Sequence, residues 1–339
     1  MPLKLPAKGR HRKSPSELVG VDIGTTGLKV VRMKQSKDDV AVISADILPP
    51  IHWNGEDQPE RIKLPKNLMA NYTALTVSGE KAVVRLLNLP GHVKQSELEE
   101  SAIREHVSVN KDFRISFTIL PAVRGKQETR VLVVAIPEEQ AKAALKLVPS
   151  GPPAPFSLEV AGLAALSSFM HGPGGSMGQE ALGVVESGAR VTFLALFYKK
   201  TLALVRKFDF GAESLVQKVQ EQLGVDRETA EGIISDGSFD ISQPVHEVMD
   251  PFLRQLTISK DFVERREDCR VAAIYLSGGT NLSRYWLEEV KAAAAADVVS
   301  WNPFEGLSVP DGAYPSNLNG QETRFSAAVG ACLGVFEGQ

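Results

Sequence analysis

An α/β protein built from two related lobes, with a small inserted block, is the fold this sequence predicts, and three observations predict it. A strand, tight turn, strand, strand pattern in "LVGVDIGTTGLKVV" and "VAVISADIL" returns later as "ALGVVESGARVTFLALFYKKTLALVRKFDF". Apolar strands alternate with helical segments over the rest of the chain, which is the order of a layered α/β fold. A helix, strand, strand, helix block also stands apart between Pro90 and the proline cluster "PSGPPAP", because prolines break regular structure at both borders.

The elements follow in order. Val19 to Gly24 reads as the first strand and Leu28 to Met33 as the second, with Thr25 to Gly27 as the turn, and "VAVISADIL" as the third. Pro49 to Pro65 is polar and proline-rich, a loop. "YTALTVSGEKAVVRLLNLP" predicts a hairpin, Tyr72 to Val77 and Ala82 to Leu87 around Ser78 to Lys81. "SELEESAIREHV" then opens a helix with a capping box, Ser96 and Glu99, and stacks Leu98, Ala102 and Val107. "RISFTILPAV" and "TRVLVVAIP" are strands, backed by the helix "EEQAKAALKLV"; "VAGLAALSSFM" is a further helix.

In the second half, "AESLVQKVQEQL" repeats Leu215, Val219 and Leu223 every four residues, and "DRETAEGII" is a second helix. A long helix is expected to start near Asp250 and Pro251, a favourable cap and first-turn pair. "VAAIYLSGGTNL" is a buried strand ending in two glycines before a helix. "ETRFSAAVGACLGVF" closes the chain with small residues Ala327, Gly330 and Gly334 suited to close packing. The expected division is a flexible basic tail over 1–16, a first lobe over 17–89 and 151–178, an insert over 90–150, a second lobe over 179–321 with a helical part over 212–268, and a helix over 322–339 that returns to the first lobe.

With 339 residues the chain can bury a large core, and 43% hydrophobic with 23% charged residues is ordinary for a soluble globular protein. The net charge of −3 supplies no global field for nucleic acid or an anionic membrane. Only the tail, with Lys4, Lys8, Arg10, Arg12 and Lys13, is basic. Cys269 and Cys332 lie in apolar contexts that imply free thiols and a reducing cytosol. Six scattered histidines lack zinc-ligand spacing. No apolar run approaches the roughly 20 residues that span a bilayer, so a membrane role is expected to come through a partner.

A phosphate needs backbone N–H groups that no side chain obstructs, and a hydroxyl or cation beside them. Gly24 and Gly27 with Thr25 and Thr26 between them supply this. Asp22 at the strand end suits a magnesium-bound water, and Lys29 could reach a phosphate or project into solvent. The second turn offers Glu186, Gly188 and Thr192. The third element offers Gly278, Gly279 and Thr280, placed between a strand and a helix as a nucleotide loop would be.

These elements resemble the two phosphate loops and the adenosine loop of the actin, Hsp70 and sugar-kinase superfamily. Within it the chain is most similar to the type IV pilus assembly protein PilM family, relatives of the cell-division protein FtsA. The likeness rests on "GVDIGTTGLKVV", "VSGEKAVVRLLNLPG", "VLVVAIPEEQ", "SLEVAGLAAL", "LRQLTISKDF" and "YLSGGTNL", in family order. It implies an actin-like, ribonuclease H-like duplicated fold with an insert of the FtsA and PilM type. It also implies ATP or ADP with Mg2+ in an interdomain cleft, and a cytoplasmic position under the inner membrane. The N-terminal tail of a PilN-like membrane protein would dock in a groove between the first large subdomain and the insert. Other pilus assembly proteins and further copies of the chain are additional expected partners; nucleic acid and direct membrane insertion are not expected. By resemblance, Asp22, Gly24, Thr25, Thr26, Gly27 and Lys29 contact the first phosphates, Gly188 and Thr192 belong to the second turn, and Gly278, Gly279 and Thr280 lie on the adenosine side. Glu231 would touch the ribose and Gly211 opens the preceding helix.

Departures from the family pattern bear on activity. The second turn usually carries aspartate; Glu186 stands here, placing the carboxylate roughly 1–1.5 Å further out, where a shift near 1 Å can cost about a hundredfold in rate. Ser187 and Arg190 alter the same turn, and Ile234 replaces the lysine that often follows the ribose glutamate. The expectation is therefore a type IV pilus-like or type II secretion-like scaffold that binds ATP, with Asp22 and Glu186 as the catalytic and metal-binding pair if hydrolysis occurs, and with weak or absent hydrolysis. A sugar or small-metabolite kinase on the same fold is the alternative; it would need a general base near the acceptor hydroxyl, and no second carboxylate motif is placed for one. An FtsA-like filament former anchored in the membrane would need an amphipathic C-terminal helix, which "CLGVFEGQ" does not resemble.

Overall fold

The computed structural model describes residues 3–4, 14–37, 39–51, 60–121, 127–237 and 239–337. The chain divides into two compact units. The first is Met1–Gly172 with Pro303–Asn319 and Phe325–Gln339; the second is Pro173–Asn302 with Gly320–Arg324.

In chain order the first unit holds β1 (Leu3–Lys4), β2 (Glu17–Gly24), β3 (Gly27–Gln35), β4 (Val40–Leu48), β5 (Tyr72–Val77), β6 (Val83–Pro90), α1 (Glu100–His106), β7 (Phe113–Ile119), β8 (Glu128–Pro137), α2 (Glu138–Lys146), β9 (Ala154–Val160) and α3 (Ala161–His171). The second holds β10 (Ala181–Ser187), β11 (Thr192–Tyr198), β12 (Thr201–Phe208), α4 (Ala212–Leu223), α5 (Arg227–Asp236), α6 (Ser242–Glu267), β13 (Val271–Ser277), α7 (Arg284–Ala294) and β14 (Asp297–Ser300). The last helix, α8 (Ser326–Glu337), packs in the first unit.

The duplication is visible in the sheets. In the first unit β2, β3 and β4 form an antiparallel meander, and β5 and then β9 add in parallel on the other side of β2. In the second, β10, β11 and β12 form the same meander, and β13 and then β14 add in parallel beside β10. The central strands are buried on both faces, which explains their near-continuous Val, Ile, Leu and Ala runs. A separate three-stranded sheet, in the order β6-β8-β7, carries its own core of Ile103, Val107, Val131 and Val133.

Close approach of helix to helix and helix to sheet fixes the small residues of α8. A Cβ on Gly330 would collide with the Ala164 carbonyl of α3, and one on Gly20 with the Ala328 carbonyl of α8. The expected packing role of this segment is met, with Ala327 and Gly330 buried.

Several expectations need correction. Tyr72–Val77 and Val83–Pro90 do not form a hairpin: β5 joins the large sheet and β6 the small one, so the small sheet begins ahead of Pro90. Residues 303–319 belong to the first unit rather than the second, because Phe304 and Tyr314 pack their rings against Phe325 and Ser308 bonds to the backbone of Val40 and Val42. The helix after Leu98 starts at Glu100 without a cap from Ser96; Glu97 instead accepts from the Lys94 N–H, and Ile103, not Ala102, is the buried residue beside Val107. The long helix starts at Ser242, where Asp240 accepts the Ser242 N–H at 3.0 Å, and Pro251 lies inside it on an exposed turn. Of the basic tail, Lys4 lies in β1, while Lys8, Arg10, Arg12 and Lys13 fall outside the described residues, as do residues 52–59 of the loop expected from Pro49 to Pro65.

Candidate functional site

In the first unit the β2–β3 register pairs Asp22 with Lys29 and Gly24 with Gly27, leaving Thr25 and Thr26 as an exposed two-residue tip. Gly27 has φ of +131°, and a Cβ there would lie 2.8 Å from the Leu48 carbonyl oxygen, so glycine is required. Lys29 is not the solvated lysine that the sequence also allowed: it is only 7% exposed. Its Nζ folds over the turn and donates to the Thr26 hydroxyl at 3.3 Å and to the Gly27 carbonyl at 3.2 Å. A Cβ on Gly24 would lie 2.7 Å from that Nζ and 3.6 Å from Asp22 Oδ2. A cation and a carboxylate thus converge on the bare backbone of Gly24, which fits a phosphate with its metal.

Asp22 has a partner that lies far away in sequence. Parallel pairing of β2 and β5 sets Asp22 beside Thr76, and the buried Thr76 hydroxyl donates to Asp22 Oδ1 at 2.7 Å. The next strand, β9, sets Glu159 beside Thr76. Lys29, Asp22, Thr76 and Glu159 therefore form one polar row across four strands near the carboxyl ends of the parallel set, where ligands of open α/β sheets bind. Glu159 is fully buried, and burial pushes its carboxyl above the usual range. Gly334 of α8 lies against it: a Cβ there would be 3.2 Å from Glu159 Oε1.

The second unit repeats the acid and hydroxyl pair. Glu186 on β10 sits beside Ser277 on the parallel β13, and the Ser277 hydroxyl donates to Glu186 Oε2. The equivalence of Asp22 and Glu186, suggested by the turns, extends to Thr76 and Ser277. The two turns themselves differ. Ser187 pairs with Thr192, so the second turn holds four residues, closed by the Gly188 N–H to the Val191 carbonyl at 3.0 Å.

Hydroxyls expected to face a nucleotide are engaged inside the second unit. Ser187 Oγ lies 2.8 Å from Thr192 Oγ1 and 3.1 Å from Thr280 Oγ1; Thr192 donates to the Phe210 carbonyl and Thr280 to the Gly188 carbonyl. The N-terminus of α4 is used similarly: the Ala212 and Glu213 amides donate to the Gly188 and Ala189 carbonyls. Gly211 permits this, since a Cβ there would lie 2.6 Å from the Ala189 carbonyl oxygen. Gly278, at φ +90°, packs on the Ser187 carbonyl and donates to the Thr323 carbonyl at 2.9 Å. A Cβ added to Gly279 would meet nothing within 4 Å. Of the two glycines, the first joins the loops and the second is the open one. Glu231 is half-exposed and accepts from Arg227 Nε at 2.7 Å, while Arg227 also grips Glu213 with both Nη atoms. That fork holds the Glu213 carboxyl below the ordinary range.

The sequence profile of the family described as type IV pilus assembly protein PilM matches residues 20–336. The chain belongs to the PilM family. Among solved structures it is similar to a PilM-PilN type IV pilus biogenesis complex, at 20% identity and TM-score 0.76 over 95% of this chain and 99% of that one. Looser likenesses are to an archaeal actin homolog, at 10% identity and TM-score 0.47 over 95% of this chain and 100% of that one, and to the ethanolamine utilization protein EutJ of Carboxydothermus hydrogenoformans, at 14% identity and TM-score 0.43 over 94% and 90%. No curated protein matches the chain in sequence. The fold of this PilM-family chain is actin-like, as expected, and no helix among the described residues is long and apolar enough to cross a membrane.

Thr76, Ser277 and Glu159 are the residues that sequence reasoning missed in this PilM-family chain. The signal for the first two was indirect: each is a hydroxyl near the end of the strand that must run parallel to the acid-bearing strand, and only the register brings acid and hydroxyl together.

Proposed function

We propose that the chain is an ATP-binding scaffold of a type IV pilus-like or type II secretion-like inner-membrane assembly, cytoplasmic and held at the membrane by the N-terminal tail of a PilN-like protein. The observation that carries this reading is the PilM family match over residues 20–336. The likeness to a PilM-PilN complex supports the choice of partner.

The nucleotide would be held at its phosphates by the Gly24 to Gly27 backbone, the Thr25 and Thr26 hydroxyls and the Lys29 ammonium. Asp22 in the first unit and Glu186 in the second would each offer a carboxylate to Mg2+ through its waters, and the open Gly279 would face the nucleoside. The buried Thr76 and Ser277 hydroxyls orient the two carboxylates by donating to one oxygen of each, so that the other oxygen would turn toward the metal. Bound magnesium supplies charge neutralisation of the phosphates. Thr192, Thr280, Gly188, Gly211 and Gly278 then act by holding the second turn and the adenosine loop in register. Glu231 would reach the ribose with its second oxygen while Arg227 fixes the first. Because Glu186 is longer than aspartate, hydrolysis is weak or absent, and nucleotide serves binding rather than turnover.

Immobilised peptide carrying the cytoplasmic tail of a PilN-like protein should capture the purified chain. Failure of capture, with and without ATP and magnesium, would sink the docking half of the proposal. Phosphate transfer to any member of a sugar panel would favour the kinase alternative instead.

A further inference from the structure

We infer that the outer edge of β9 is a strand-addition site for an extended peptide, and that the chain's own Leu3–Lys4 occupies it in cis, in competition with the tail of the PilN-like partner. β1 is two residues long and pairs antiparallel with β9, Leu3 opposite Leu158 and Lys4 opposite Ser157. On the sheet it is the outermost strand, beyond β9, and it also lies against β7 of the small sheet. It therefore sits between the large sheet and the small one. The proposal rests on the reading that a PilN-like tail binds the first unit.

Three features favour exchange rather than a permanent strand. The pairing is short: two of the seven residues of β9 are matched on this edge among the described residues. Pro2 and Pro6 flank the segment and have no N–H to donate to a ladder. The remaining backbone groups of an edge strand are a template for another extended chain, which gains affinity from main-chain hydrogen bonds regardless of its side chains. A membrane protein's short N-terminal tail is such a chain. Because the cis segment is tethered, it competes at a high effective concentration although each of its contacts is weak.

The occupant is thus an extended peptide that pairs with β9, and the N-terminus of the scaffold acts as its placeholder. Binding of a partner tail would displace Leu3–Lys4 from β9.

The experiment compares the full chain with the Leu3→Pro, Lys4→Pro double variant and with a variant lacking residues 2–6, by fluorescence anisotropy of a labelled PilN-like tail peptide. Both variants should bind the peptide about three- to tenfold more tightly than the parent, the range expected for removing one or two weak backbone hydrogen bonds. A synthetic Met-Pro-Leu-Lys-Leu-Pro peptide, the first six residues, should compete with the tail on the deletion variant. Equal affinity of all three proteins, or no competition by the six-residue peptide, would overturn the proposal and leave docking intact. If the tail binds none of them, the docking reading itself fails and the proposal falls with it.

Discussion

Replacing Thr76 with valine keeps the shape of the side chain and deletes the hydroxyl that donates to Asp22 at 2.7 Å. Thr76 is fully buried and Asp22 is 9% exposed, so water cannot readily restore the lost bond. A hydrogen bond to a charged group contributes about 1.5–3 kcal/mol, and Asp22 keeps the Lys29 side of its surroundings, which points to the lower end, about 1.5–2 kcal/mol. With a denaturant slope of about 2 kcal/mol/M in urea, the midpoint of the first unit's unfolding should fall by about 0.7–1 M. Thr76→Ser retains the hydroxyl and loses one methyl group, for about half that loss. Urea titration followed by circular dichroism measures both. A midpoint shift below about 0.2 M for Thr76→Val, or an equal shift for the serine variant, would refute the claim that the hydroxyl and not the packing holds Asp22.

Further outcomes are expected. Gly278→Ala should destabilise the second unit by about 3 kcal/mol or more, because φ of +90° and the Ser187 carbonyl both exclude a Cβ, whereas Gly279→Ala should leave its melting temperature within about 1 °C. Gly330→Ala should unfold or strongly destabilise the first unit by driving α8 off the Ala164 carbonyl, as differential scanning calorimetry would show. His246 holds Glu289 at 2.6 Å, and this hydrogen bond raises its pKa. A raised folded-state value means that the stabilisation is fully present below about pH 6.5 and is lost as pH rises through the raised value; an NMR titration of Glu289→Gln should show His246 titrating at lower pH than in the parent. Glu186→Asp should raise ATP hydrolysis about tenfold or more if the extra methylene is what limits it, as a phosphate-release assay would read.

Much of the architecture was written locally. Both meanders, the turns at Gly24 to Gly27 and after Ser187, the strand before Gly278 and the tightly packed last helix follow from short-range pattern, because each is defined by neighbours a few residues apart. What escaped depends on distant pairing. Tyr72–Val77 and Val83–Pro90 look like a hairpin, and only competition from β2 and β8 for their edges separates them. Thr76 and Ser277 carry no motif of their own; a parallel register makes them partners of Asp22 and Glu186. Lys29 reads as easily exposed as buried until the fold of its side chain over the turn is known. Asp250 and Pro251 form a good helix start, yet burial of Val245 and Met249 on the same apolar stripe as Phe252 extends α6 a further two turns toward its N-terminus.

The convergence of Asp22 and Lys29 on Gly24 is the point at which sequence, fold and proposed chemistry meet. Isothermal titration of ATP with magnesium into the parent chain and into Asp22→Ala, each first shown to be folded, tests it most directly. A single site is expected in the parent and at least about tenfold weaker binding in the variant, consistent with loss of one charge-assisted contact. No binding by the folded parent, or equal affinity in the two proteins, would contradict it.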